Sequence, residues 1–321
     1  MGKGTKIWLI VAAVLVLVGC VTVGGVVVAL GFDLGGLAAD RLETFEHEIG
    51  EVPQGISIHT AEADVTVVPS TDGVCRVVCN EQKNVKHTVS VKDGVLLVEV
   101  VDTRKWYEHI VFGWGRSPSV TVQLPQGEHG ALSVRTTTGD TAIAKDFCFA
   151  SITVEGTTGD VTSAASATGD IRIETTTGDI HLTEGTAASL SLSVTTGKIT
   201  ATSVTVAGAV SAHVGTGDAV FLDVACESLS STGSTGDLYL RGVVATGSLL
   251  LERSTGDIEL EACDAAALKL ETTTGDVEIS LLSDKSFFAE STTGDIDIPR
   301  HTAGGRCEIT TTTGDIEAVV K

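Results

Sequence analysis

The sequence predicts an all-β protein, a parallel β-solenoid (β-helix-like), preceded by one transmembrane helix. Three observations predict it: a Thr-Gly-Asp triad recurring at a fixed step, alternation of apolar and polar residues around each triad, and an uncharged apolar run near the N-terminus. The triad glycines are Gly139, Gly159, Gly178, Gly197, Gly217, Gly236, Gly256, Gly275, Gly294 and Gly314, spaced by 19 or 20 residues. A constant period of about 20 residues marks a solenoid, in which each repeat is one coil stacked on the last. About ten regular coils of 19–20 residues are therefore expected.

Taken in chain order, residues 1–6 read as a short cytoplasmic N-terminus carrying Lys3 and Lys6. Residues 7–30 contain no charge and are long enough to cross a bilayer core of ~30 Å. The basic flank then places the N-terminus in the cytoplasm and the solenoid outside, as a single-pass cell-membrane protein. A rival reading takes Leu17-Val18-Gly19-Cys20 as a lipobox, with Cys20 lipidated. Against it, the apolar run continues ten residues beyond Cys20. Residues 31–51 read as a juxtamembrane linker. Residues 52–130 hold strand-like runs without the triad and read as irregular N-terminal coils that cap the solenoid. Ala63-Asp64-Val65 resembles a degraded corner, and Asp64 precedes Asp140 by 76 residues, four steps of 19. The stretch Lys105 to Arg116 interrupts this region. Its Trp106, Tyr107, Phe112 and Trp114 are expected either to cover the open end of the core or to form a contact patch for a partner.

Residues 131–321 form the regular repeat. Seven residues before each glycine stand Leu132, Ile152, Ile171, Leu190, Val210, Leu229, Leu249, Leu268, Phe287 and Cys307, all apolar. Apolar residues recur two positions on and again beyond the corner, as at Ile258 and Leu260, or Val277 and Ile279. Period 2 on both sides of a glycine argues strand, corner, strand with one face buried. Two strands per coil and two parallel sheets follow, with a rod length of roughly 48 Å at ~4.8 Å per coil. Glycine suits a corner that needs positive φ. The next residue is Asp140, Asp160, Asp179, Asp218, Asp237, Asp257, Asp276, Asp295 or Asp315, with Lys198 the exception. An aspartate there is expected to hydrogen-bond the nearby backbone as an Asx-type turn.

Stacked aspartates ~4.8 Å apart repel by about 0.9 kcal/mol per adjacent pair in a water-like dielectric, so turn hydrogen bonds should offset the repulsion. Lys198 should neutralise the middle of the column. In the last four coils a second acid follows two residues on: Asp257 with Glu259, Asp276 with Glu278, Asp295 with Asp297, Asp315 with Glu317. That outward strip is the one candidate for calcium, which takes several carboxylate oxygens; otherwise no cofactor is expected. The net charge of -21 excludes nucleic acid as a partner. No nucleophile motif appears and the eight histidines are scattered without ligand spacing, so an enzyme is not expected. Six cysteines lie beyond the apolar run, none recurring in one column of adjacent coils, and no CxxC pair exists. The last strand, Ile316 to Val320, is expected to leave an uncapped edge able to dock a partner or a second copy.

The repeated T-T-T-G-D-[IV]-x-[IV], the run Val120 to Pro125 ahead of the first regular coil and the N-terminal anchor together resemble a bacterial family of membrane-tethered proteins described as putative adhesins, whose domain is otherwise of unknown function. The resemblance covers about residues 45–321. It implies a surface location and an adhesive or envelope-associated role towards an extracellular protein or glycan, and brings no catalytic residues. The alternative is a cell-envelope accessory or stress-response protein acting with membrane signalling partners, since some five cytoplasmic residues cannot hold a signalling domain.

Overall fold

The computed structural model describes residues 42–104, 117–300 and 303–321, together with residues 12, 14–19, 21, 22 and 25. The chain divides into two compact units, residues 1–41 with 104–116, and residues 42–103 with 117–321. In the first unit, residues 12, 14–19, 21, 22 and 25 are helical. No helix among the described residues is long and apolar enough to cross a membrane. The span expected over residues 7–30 lies largely outside the described residues, as do Cys20 and the aromatic stretch with Trp106, Tyr107, Phe112 and Trp114.

The second unit is the parallel β-solenoid, with about nine turns. One column of strands runs through Leu132–Thr138, Ile152–Thr158, Asp170–Thr177, Ser189–Thr196, Ala209–Thr216 and Ser228–Thr235, then the later parts of Val244–Thr255 and Ile258–Thr274. Register is one-to-one, so like sits on like: Leu132, Ile152, Ile171, Leu190, Val210, Leu229, Leu249 and Leu268 form one buried stack. Beyond the corner a second column carries Thr141–Ile143, Val161–Ser163, Ile180–Ala187, Ile199–Val206, Ala219–Leu222 and Leu238–Arg241. Burying each Val, Leu or Ile contributes about 1.5–3 kcal/mol, and the identical step is what lets every coil do so.

Two sheets do not describe every coil. A third, short sheet of Gly127–His129, Phe147–Phe149 and Ser166–Ala167 closes the coils nearest the N-terminal end. Three strands per coil there leave room for larger rings, and His129, Phe147 and Phe149 pack with centroids 5.6–5.7 Å apart. The linker expected over residues 31–51 is also corrected: Glu43–Ile49 is a strand, antiparallel to Cys75–Glu81. The cap is built from such reversals. Cys75–Glu81 runs antiparallel to Ser119–Leu124, and Val85–Lys92 pairs antiparallel with Val95–Asp102 across Asp93-Gly94, both at positive φ.

Chain order and stacking order part at both ends. Gly55–Thr60 lies between Leu132–Thr138 and Val95–Asp102. Asp64–Pro69 likewise lies between Thr141–Ile143 and Ser119–Leu124. The first coil is therefore one rung from the Asp140 coil, not four, because Val95–Asp102 and Ser119–Leu124 stack on its other side. At the other end Gly305–Thr313 sits between Ile258–Thr274 and Lys285–Thr293, while Ile316–Val320 sits between Val277–Leu281 and Ile296–Asp297. The expected uncapped edge at Ile316 to Val320 is overturned, since that strand is paired on both sides. Among the described residues the outermost coil is Lys285–Thr293 with Ile296–Asp297.

Candidate functional site

The corner column shows what glycine and aspartate each supply. All ten glycines have φ between 119° and 151°. A β-carbon at Gly178 would lie 2.1 Å from the carbonyl oxygen of Gly159, and at Gly275 equally close to that of Gly256. Positive φ was legible in sequence; this glycine-on-glycine approach was not. The Asx-type turn is corrected, because the carboxylates reach between coils. The backbone N–H of Asp160 donates to Asp140 Oδ1 at 2.9 Å, that of Asp179 to Asp160 at 2.7 Å, and that of Asp257 to Asp237 at 2.9 Å. Asp64 heads the ladder by accepting from Asp140 at 3.0 Å. The intercalated coil keeps it intact, since Asp315 donates to Asp276 and Asp295 to Asp315, both at 2.7 Å. A charge-assisted bond to every corner carboxylate but Asp295 offsets the repulsion within the column.

Lys198 breaks this ladder. Its own N–H donates to Asp179 Oδ1 at 2.7 Å, but its side chain offers the next coil no acceptor; its Nζ lies 3.8 Å from Asp218 Oδ2 instead. A second cation stands inside. Arg253 is buried where most coils carry Thr or Val, three residues before the corner glycine, with its guanidinium packed over Gly233. Its guanidinium donates to Glu252 O at 2.8 Å and Ser231 Oγ at 3.2 Å. Burial pulls its pKa down to about 10, against the opposing pull of Asp218 and Asp237. The neighbouring interior threonines are part of the same corner: Thr272 and Thr311 donate to the carbonyls of Gly256 and Gly275, each at 3.1 Å.

The second acidic column is in register and exposed, in the order Glu259, Glu278, Glu317, Asp297. It flanks Asp257, Asp276, Asp315 and Asp295 in that same order, so intercalation exchanges the last two pairs of the expected strip. One oxygen of each corner aspartate other than Asp295 in this strip accepts a backbone N–H. The strip ends on the outermost described coil. Its apolar residues are poorly covered: Phe288 is 53% exposed, beneath the Arg306 guanidinium at 4.6 Å, and Ile296 is 43% exposed.

Sequence reasoning missed a buried polar cluster under the N-terminal cap. Cys79 and Glu81 alternate inward on one strand, and His87 faces them from the next. Their ligand atoms all lie within 4.8 Å of one another. Glu81 Oε2 accepts the His87 backbone N–H at 2.6 Å and lies 3.1 Å from Nδ1, while His87 Nε2 lies 3.1 Å from Thr60 Oγ1. Thr60, Cys79, Glu81 and His87 are all buried, so the hydroxyl has no open path to a substrate. Burial, then the charge of Glu81, pushes the Cys79 thiol up to about 12. Inward alternation of a carboxylate beside a cysteine was the available signal; the hairpin that delivers His87 was not read as one. The described cysteines beyond the apolar run are all free.

Comparison with known proteins comes to the same architecture. The family model described as Toastrack DUF4097 matches residues 54–221 and 208–321. The chain is similar in structure to a putative adhesin from Parabacteroides distasonis ATCC 8503, at 13% identity and TM-score 0.52, covering 75% of this chain and 98% of that one. A putative adhesin from Bacteroides fragilis NCTC 9343 aligns at 14% identity and TM-score 0.41, covering 88% and 99% of the two chains. A putative lipid binding protein from Parabacteroides distasonis ATCC 8503 aligns at 17% identity and TM-score 0.49, covering 77% and 98%. The first of these, at 13% identity and a TM-score above 0.5, supports the fold alone. No curated protein matches the sequence.

Proposed function

The chain belongs to the Toastrack DUF4097 family, and from that premise we propose that it is a non-catalytic surface interaction module, held at the cell membrane by residues 7–30, with its solenoid outside the cell. The observation that carries the reading is the outermost described coil. Among the described residues Lys285–Thr293 and Ile296–Asp297 each pair on one side only, and Phe288 and Ile296 stand exposed beside that edge. An open parallel edge next to apolar side chains accepts an added strand, with backbone bonds giving affinity and side-chain contacts giving selectivity. The occupant is an extended segment of an extracellular protein. With a net charge of -21 on the chain, a neutral or basic segment is favoured over an acidic one.

The test is binding of the full chain to candidate surface proteins and glycans, with Phe288→Glu and Ile296→Lys as variants. Binding that falls at least tenfold in both, with the fold retained, supports the reading. Binding to a glycan that neither variant weakens overturns the edge as the site.

A further inference from the structure

We propose that Cys79, Glu81 and His87 form a zinc-class metal site that staples the antiparallel cap to the first coil. Three side chains of three ligand types converge with ligand atoms within 4.8 Å of one another. Around one tetrahedral zinc, with bonds of about 2.0–2.3 Å, ligand atoms lie roughly 3–4 Å apart, so small side-chain rotations close the set. Thiolate, imidazole and carboxylate together suit zinc better than calcium or magnesium, which prefer oxygen alone.

The surroundings add an independent reason. A metal-bound imidazole generally has its second nitrogen held by a hydrogen bond, which fixes the ring and the tautomer. His87 has that arrangement: Nε2 faces Thr60 Oγ1 at 3.1 Å, leaving Nδ1 towards Glu81 and Cys79. In the metal-bound form Nε2–H donates to Thr60, and the metal takes the place of the proton between Nδ1 and Glu81 Oε2. The Cys79 thiol gives up its proton to bind as thiolate. Thr60 belongs to the first coil, while the three ligands belong to the strands folded over it, so the site ties the cap to the stack. Entry is by opening of the exposed turn at Lys83-Asn84, which joins the two ligand strands.

Titration of the full chain with cobalt(II), followed by displacement with zinc, tests the site. One equivalent of cobalt should produce a near-ultraviolet sulfur-to-metal charge-transfer band that zinc abolishes. Cys79→Ser should remove that band and Cys307→Ser should leave it. Thr60→Val should weaken zinc affinity about 10–100-fold, the usual effect of losing such an outer partner. If Cys79→Ser fails to fold, the folded wild-type chain still decides: absence of the band overturns the proposal. So does a band that survives Cys79→Ser.

Discussion

At Gly178 a β-carbon would approach the Gly159 carbonyl to 2.1 Å while φ stands at 132°, so alanine is refused on two counts. Backbone strain at such a φ costs about 1–3 kcal/mol, and relieving the clash requires two coils to separate. Gly178→Ala is therefore expected to destabilise the solenoid by at least ~3 kcal/mol, read as a lower midpoint in guanidinium denaturation. A loss below 1 kcal/mol would show that the corners are not packed glycine on glycine. The cysteines give a second residue-level expectation. Burial raises the thiol pKa of Cys307 from an ordinary 9.0 to about 12, and of Cys75, Cys226 and Cys263 to about 11. A raised thiol pKa means the unfolded chain loses its proton first, so stability is intact below pH 9.0 and falls as pH rises towards 11 and 12. Thermal melts across that alkaline range check the sign. Cys307→Ala should flatten the decline, and an unchanged slope would count against the cause.

The coil is the element, and its internal design was legible because it is local: period, alternation and corner each fall within about 20 residues. Stacking order was not legible, because every coil presents the same register to its neighbours. Nothing in Cys307 or Ile309 distinguishes a place beside Phe287 from one beside Leu268, and the strand takes both. The cap was misread for a different reason. Asp93-Gly94 is a strong hairpin signal and does turn Val85–Lys92 back on Val95–Asp102, but the turn at Lys83-Asn84 that brings His87 to Glu81 contains neither glycine nor proline, so that reversal has little local signal. Intercalation makes a sharp prediction. Removing residues 305–321 should unzip Lys285–Thr293 as well, since that strand's partner is Gly305–Thr313. Limited proteolysis should then cut between residues 282 and 298, with hydrogen exchange there rising to that of unpaired backbone. If the coils stacked in chain order, the same deletion would leave that segment protected.

For the whole solenoid, the question is how a chain of net charge -21 tolerates a column of aligned carboxylates. Each corner carboxylate below the end of the ladder holds a backbone N–H of the next coil, Lys198 interrupts the column, and Arg253 sits behind Asp218 and Asp237. Residual repulsion remains along the outer strip, where Glu259, Glu278, Glu317 and Asp297 stack without an interposed cation. Salt shortens the screening length from about 8 Å at 0.15 M to about 3 Å at 1 M, below the spacing between coils. Raising sodium chloride over that range should therefore stabilise the solenoid, by about 2 kcal/mol in all. Calcium makes the sharper comparison. It wants six to eight oxygen ligands, whereas Asp257, Asp276 and Asp315 each have one oxygen engaged by a neighbouring N–H. Calcium and magnesium at matched ionic strength should thus raise the melting temperature equally. A larger rise with calcium, lost in Glu278→Gln and Glu317→Gln together, would instead establish the strip as a calcium site.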